Sequence, residues 1–556
     1  MRIPAAVGLA RILKAEGVSW VSIFPTCGIN NALGQEGIPM VMMRDERYAV
    51  AVADGLSRVT GGRQIGVCTV MGGINAAGLQ IAYGALAQAY EDSSPVLCIT
   101  DGIAVGTSGN THYDITAGFR PVTKWIGHID QPHRVPELMR RAFTYLRSGR
   151  GGPVLITIPR SFGEYEEDEH PYTPVKGWRW APDGQDVKAA VQALLAAKNP
   201  LLYVGEGIFY AGATQELVEF AEMAQVPVLT TLKGKSAFPE NHPLSVGVRG
   251  ELAEAFLNEC DLLFAIGSSL SPGRFSHAIP SAAHKTIVQC TIDERDVNKS
   301  YKTDHALIGD AKFTLQALIR ELSAQTGGTV TTNQALIDEV RARKAEFVGK
   351  YRPLMDSEDV PINPYRVYGD LIRTLDPDNS FLTHDSGSTR DQLSTVYESV
   401  IPRGFLGWGN VSTLGFGLAA AVAAKLAYPQ RQCVNVTGDA GVGYMLGNLE
   451  ALVRHEIGVT TIHINNGGFA GYGPGFWGPG HDPYTCSVSE PSVANLSESV
   501  KALGYYSERI TEPSEIAPAL RRALAENSRN RPAYLEVICC QYPVFGRWVT
   551  AGQAAH

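Results

Sequence analysis

The sequence predicts an α/β protein with three doubly wound parallel-sheet domains. Three observations lead there. Short β-branched runs alternate with helical stretches along the whole chain, the pattern of parallel strands joined by helical crossovers. Two stretches read as linkers. One is 161–184, SFGEYEEDEHPYTPVKGWRWAPDG, acidic and proline-containing. The other is roughly 324–362, where AQTGGTVTTNQ precedes a charged helix and DSEDVPINP. They divide the chain into domains 1–165, 185–323 and 360–545. Finally, the outer segments share a layout. RQIGVCTV, a glycine turn, LQIAYGALAQAY and PVLCIT at one end match RQCVNVT, GDAGVGY, LGNLEALVRHE and VTTIHI at the other.

Taken in order, the N-terminal MRIPAAVGLARILKAEGVSW has helical apolar spacing broken by Arg11, Lys14 and Glu16. That is an amphipathic helix, not a signal peptide with a continuous apolar centre. In the middle segment, Gly205, Gly207 and Gly212 space as G-x-G-x-x-x-x-G, not G-x-G-x-x-G. They mark either a tight strand-to-helix turn or a loosened nucleotide turn. The small-apolar run 414–424 is interrupted by glycines and stopped by Lys425, far short of a membrane span. At 556 residues the chain exceeds one core, and two to four domains are expected. A net charge of -8 with no basic block argues against a nucleic-acid surface. Nine scattered cysteines without C-x-x-C read as reduced core thiols of a cytoplasmic protein.

The chemistry gathers in two places. The strand in VNVTGDAGVGY, 434–444, ends on Gly438-Asp439, and that in TTIHINNGGF, 460–469, ends on Asn465-Asn466. If the two strands are parallel neighbours, Asp439 and Asn466 emerge at one sheet edge, where ligands of open α/β sheets bind. A carboxylate, an amide oxygen and backbone carbonyls are hard ligands suited to Mg²⁺ bridging to phosphate oxygens. Gly438, Ala440 and Gly441 let backbone N–H groups approach a diphosphate at a helix N-terminus.

GDAGVGY…INN resembles the G-D-G…N-N signature of thiamine diphosphate (ThDP) enzymes. The resemblance runs over nearly the whole chain and is strongest to acetolactate-synthase-like proteins. VMMRDERYAVAVADGLSRVTG, DITAGFRPVTKW, RSGRGGPVLITIPR, VPVLTTLKGKSAFPENHPLSVG, HALIGDAKFTLQAL and VSTLGFGLAAAVAAKLA all have counterparts there. It implies that the three domains are pyrimidine-binding, central and diphosphate-binding. By position, Glu46 matches the glutamate that hydrogen-bonds the aminopyrimidine. Asp439, Asn466 and the Gly468 carbonyl match the metal ligands. Leu414 matches the wedge under the cofactor, and Ser412 the residue whose carbonyl accepts from its exocyclic amine. Ser388 and Thr389 occupy positions that contact diphosphate. Gly72 and Asn75 remain from the S-G-P-G-x-x-N turn, which reads TVMGGIN here. On residue type alone, Glu46 reads as an ion pair with Arg44 or Arg47 on a surface turn; the resemblance reverses that.

Departures lie on the substrate side. IFPTCGIN puts Thr26 and Cys27 where small residues are common; the Cys27 thiol is either a pocket wall or a reactive group. The acetolactate-synthase glutamine falls near Thr111, beside His112 and Tyr113. NNGGFAGYGPGFWGPGHDPYT looks like a lid that brings Phe476 and Trp477 to the substrate. GSSLSPGRFSHAIP lacks the R-F-D-D-R stretch of FAD-binding relatives, so no FAD is expected. The implied activity is ThDP- and Mg²⁺-dependent cleavage or formation of a C–C bond next to a carbonyl, as in a 2-oxo acid decarboxylase or carboligase. Rival readings are a 2-hydroxyacyl-CoA or oxalyl-CoA lyase, a NAD-dependent oxidoreductase, and a non-catalytic ThDP-binding protein. In the enzymes it resembles, each site uses two chains, which implies a homodimer or homotetramer. The apolar helix around 415–424, lacking a polar face, needs cover on all sides. No membrane and no nucleic-acid partner is expected.

Overall fold

A computed structural model describes all residues except 26, 73–76, 104–112, 160–161, 274–275, 329–330, 468–493, 543–545 and 547–556. The chain folds around three parallel sheets, described within two compact units.

The first unit comprises residues 1–179, 408–429 and 445–457. Its sheet has six parallel strands in the spatial order Met40–Met42, Val21–Ile23, Gly66–Val70, Val96–Asp101, Val154–Ile158, Trp125–His128. Numbered by their own chain order, the strands lie 2-1-3-4-6-5. The inner strands Gly66–Val70, Val96–Asp101 and Val154–Ile158 are buried throughout, as a sheet covered on both faces requires. The first residues differ from the sequence reading: Arg2–Pro4 is a strand, and only Ala5–Ala15 is helical. That strand pairs antiparallel with Glu164–Glu166, so the first expected linker begins as sheet.

The helix Glu46–Val59 is buried at every position except Arg47. Asp45 starts it by accepting from Tyr48 N–H at 2.8 Å. The apolar helix Phe416–Ala427 packs against it. Gly55 makes the approach close: a methyl there would lie 2.9 Å from Ala423 Cβ and 3.1 Å from Ala420 Cα. The cover this helix needs is thus supplied within the same chain, and the face does not by itself call for a second copy.

The second unit comprises residues 180–407, 430–444 and 458–556. Its central sheet runs Val228–Thr230, Pro200–Val204, Leu262–Ile266, Thr286–Thr291, His305–Ile308, all parallel. Its other sheet runs Phe405–Leu406, Ser380–His384, Gln432–Gly438, Thr460–Asn465, Ala533–Ile538, Tyr506–Ile510, also parallel. The latter order is again 2-1-3-4-6-5, so the layout shared by the two ends of the sequence is a shared topology. One continuous apolar core runs from Leu201 and Phe256 through Tyr365 and Leu382 to Leu535. The helix Gln334–Met355, inside the second expected linker, lays Val340, Phe347 and Tyr351 onto it. Gly205 and Gly207 abut Gly267, with Gly267 Cα 2.7 Å from where a Gly207 Cβ would stand; Gly212 caps a short helix at φ +64°. Close backbone packing and a left-handed cap account for all three glycines as a strand-to-helix turn.

Candidate active site

In the C-terminal sheet the chain leaves strand Ser380–His384 for one edge and returns to the other side at Gln432–Gly438. Between these two strands lies the topological switch point, where the loops beyond the carboxyl ends diverge. Both strands end on an aspartate. Asp385 is fully buried and accepts from Ser386 N–H at 2.8 Å. Asp439 opens a helix, Asp439–Met445, where the sequence suggested a turn. The glycine at 441 is what lets this helix start so early: a methyl there would stand 2.9 Å from the Asp385 carboxylate and against Thr437 Oγ1.

Gly438 pairs in register with Ile464, so Asp439 and Asn466 do emerge at adjacent strand ends. Asn466 N–H donates to Asp439 Oδ2 at 3.4 Å. The two asparagines part company because successive strand residues face opposite ways. Asn465 turns into the core, where its amide donates to Glu536 Oε1 at 2.8 Å. Gly387, the N-cap of helix Ser388–Val396, sits at φ +84° with open space before it, and Gly438 and Gly443 are nearly as open. Thr389 is buried, its hydroxyl 3.2 Å from Ser386 O; Ser388 is half-buried. Among the described residues no three His, Cys, Asp or Glu side chains form a metal centre by themselves. One carboxylate, one amide and an open glycine-lined space suit a cation whose remaining ligands are phosphate oxygens. The residues present therefore fit Mg²⁺ with a diphosphate.

A second group of candidate residues lies in the first unit. Glu46 is 3% exposed, and burial raises its carboxyl pKa. The surface ion-pair alternative is not what forms. Arg44 Nε donates to Glu450 and Arg47 Nη1 to the Leu414 carbonyl at 2.8 Å; among the described residues no cation pairs with Glu46. Its carboxylate instead rests on Gly78, at the first turn of helix Ala77–Glu91. Around it, helix and loop are stapled together. Asp45 Oδ2 accepts from Asn448 Nδ2, Asn448 Oδ1 accepts from Arg44 N–H, and His455 Nε2 accepts from Met42 N–H.

The segment 409–415 carrying Ser412 and Leu414 is held in the same way. Asp92 accepts from Gly409 and Asn410 N–H at 3.0 and 2.9 Å, and Gln88 Oε1 from Thr413 N–H at 3.2 Å. Tyr48 Oη donates to the Gly415 carbonyl at 2.7 Å. Arg58, buried between Asp54 and Asp92, anchors this clamp. The helix of Glu46 and the loop of Leu414 therefore meet within one unit of the chain.

Gly72 lies against Thr100 and Asp101 O, a contact only glycine permits. Cys27 is 4% exposed and burial pushes its thiol pKa up, which favours the wall over the reactive group. Tyr113 is half-buried with its hydroxyl against Gly118. Thr26, Asn75, Thr111, His112, Gly468, Phe476 and Trp477 lie outside the described residues. Sequence reasoning missed Asp385, Gln88, Asp92 and His463, and gave Arg47 a different partner. Only Asp385 carried a signal, since FLTHDSG repeats the strand–Asp–glycine pattern of VNVTGDAG.

The C-terminal sheet thus offers a glycine-lined switch point that fits a diphosphate-bearing group, and the first unit offers a desolvated carboxyl group, features of a class of cofactor-dependent α/β enzymes. Three family models cover this arrangement. The thiamine pyrophosphate enzyme N-terminal TPP-binding domain matches residues 4–126, the central domain 187–318 and the C-terminal TPP-binding domain 385–537. The chain belongs to the thiamine pyrophosphate enzymes, in their acetolactate-synthase-like group. It is 30% identical to the probable acetolactate synthase large subunit of Methanocaldococcus jannaschii, over 96% of this chain and 91% of that one. It is 28% identical to the acetolactate synthase isozyme 3 large subunit of Escherichia coli K12, over 95% and 93%. It is 31% identical to the acetolactate synthase of Arthrospira platensis, over 84% and 82%. No helix among the described residues is long and apolar enough to cross a membrane.

Proposed function

We propose that this enzyme uses ThDP and Mg²⁺ to form or cleave a C–C bond next to a carbonyl, as a carboligase or decarboxylase of 2-oxo acids. The observation that carries this reading is Glu46, a buried carboxyl with a raised pKa and, among the described residues, no paired cation, the state suited to holding or sharing a proton. The relatives' names, acetolactate synthase, support the carboligase.

ThDP, when bound, supplies a thiazolium ring that serves as electron sink for the carbonyl carbon. Glu46 presents a protonated or proton-sharing oxygen to an aminopyrimidine ring nitrogen. The Ser412 carbonyl accepts from the exocyclic amine, Leu414 is the wedge, and Gly72 and Asn75 border the pyrimidine. Asp439, Asn466 and the Gly468 carbonyl hold Mg²⁺. Gly438, Ala440 and Gly441, with Ser388 and Thr389, hold the diphosphate. Thr26, Cys27, Thr111, His112, Tyr113, Phe476 and Trp477 shape the substrate pocket. The working domain division is 1–165, 185–323 and 360–545, without FAD, and the assembly is a homodimer or homotetramer in the cytoplasm.

The test incubates the ThDP- and Mg²⁺-loaded enzyme with a panel of 2-oxo acids, aldehydes and acyl-CoA esters and identifies products by mass spectrometry. Release of CO₂ with an aldehyde or a 2-hydroxy-3-oxo acid is expected. Turnover of acyl-CoA esters alone would replace the reading with a CoA-ester lyase.

A further inference from the structure

His463 stands on the strand next to Asp439 with its side chain wholly buried. The apolar neighbours Ile462 and Ile464 leave it as the one imidazole of strand Thr460–Asn465. Its Nε2 lies 3.0 Å from Asp439 Oδ1, and its Nδ1 lies 2.8 Å from Tyr534 Oη. Tyr534 reaches it from the next strand, Ala533–Ile538, and is itself buried.

The geometry suits a neutral imidazole with one arrangement of protons. An Asp439 carboxylate only accepts, so Nε2 carries the hydrogen. In a neutral ring Nδ1 then accepts from the Tyr534 hydroxyl. Burial raises the Tyr534 pKa well above the ordinary phenol value, so that hydroxyl keeps its proton. Each member of the chain Tyr534–His463–Asp439 finds its partner in one tautomer, and the aspartate is held from behind through one oxygen. The other, Oδ2, is the oxygen beside Asn466 N–H.

We propose that His463, locked in its Nε2–H tautomer by Tyr534, is a positioning residue for Asp439. It ties down Oδ1 so that Oδ2 and Asn466 are presented together to the divalent cation. The inference rests on the reading of Asp439 as a metal ligand. Partners that orient a metal ligand typically contribute 10–100-fold to metal affinity.

The test titrates Mg²⁺ into the full-length protein at saturating ThDP by calorimetry, with circular dichroism as a check on folding. Four variants are compared: Asp439→Ala, His463→Ala, His463→Gln and Tyr534→Phe. Loss of Mg²⁺ binding in Asp439→Ala is the baseline; retained binding there would remove the underlying reading itself. His463→Ala is expected to raise the Mg²⁺ Kd about 10–100-fold. His463→Gln should recover most of it, because its amide can donate to Oδ1 while its oxygen accepts from Tyr534. Tyr534→Phe, which removes one hydroxyl, should weaken Mg²⁺ by several-fold. Steady-state kinetics should show the His463→Ala defect as a raised Mg²⁺ requirement overcome by excess metal. With Asp439→Ala defective, wild-type Mg²⁺ affinity in folded His463→Ala would overturn the proposal. Should His463→Ala not fold, wild-type affinity in Tyr534→Phe would overturn it.

Discussion

Replacing Gly78 with alanine perturbs Glu46 without changing any titratable group. A methyl at 78 would stand 3.0 Å from Glu46 Cδ, closer still to Oε1, and 2.8 Å from the Met71 carbonyl. Ordinary contact begins at 3.4 Å, so the carboxyl must move about 0.5–1 Å. A misplacement on the order of 1 Å costs a reacting group about 100-fold. Folding should lose about 0–2.5 kcal/mol on balance. Alanine gains about 0.5–1 kcal/mol over glycine inside a helix, against about 1–3 kcal/mol of strain at Met71. Gly84→Ala, on the same helix with nothing within 4 Å, is the control and should be slightly more stable. The assay is hydrogen–deuterium exchange at the thiazolium carbon of bound ThDP, quenched and read by proton NMR. Exchange should slow about 100-fold in Gly78→Ala and stay at the wild-type rate in Gly84→Ala. Wild-type exchange in ThDP-loaded Gly78→Ala would refute the claim that Glu46 must be held where Gly78 holds it.

Asp439→Ala should lose ThDP binding in fluorescence titrations, because Mg²⁺ and diphosphate neutralise each other and bind together; unchanged affinity would show the site misassigned. Glu46→Gln should still bind ThDP but exchange its proton about 100- to 10,000-fold more slowly. The same change should stabilise the fold increasingly as pH rises. The raised carboxyl pKa means the folded state holds more protons than the unfolded state above pH 4.5, so wild-type stability falls as pH climbs through that window. Melting curves of both proteins between pH 4.5 and 7 check this, and parallel curves would count against it. Asp92→Ala removes a buried partner of Arg58 and the acceptor of two backbone N–H groups, and should cost about 3–5 kcal/mol. A loss under about 1 kcal/mol in urea unfolding would show the clamp on 409–415 to be dispensable. Mixing Glu46→Gln and Asp439→Ala subunits after dissociation should restore activity if one site draws on two chains. Absence of rescue in mixed oligomers would assign each site to a single chain.

The sequence alone determined the fold class, because strand and helix periods and glycine turns are local properties. It also pointed to Asp439 and Asn466, because two strand ends joined by one crossover helix must come out side by side. Glu46 was visible only as a residue type. Whether it would pair with Arg44 or Arg47 depended on where those guanidiniums went, and Glu450 and Leu414 lie hundreds of residues away. The same distance hid Asp92, Gln88 and Tyr48, whose hydrogen bonds hold 409–415 across more than 300 residues of chain. His463 read as one more residue in a β-branched strand. Only the register of three parallel strands set Tyr534 on one side of it and Asp439 on the other. Periodicity is written along the chain; proton partners and desolvation are decided by which distant segments pack together, and that is a property of the folded molecule.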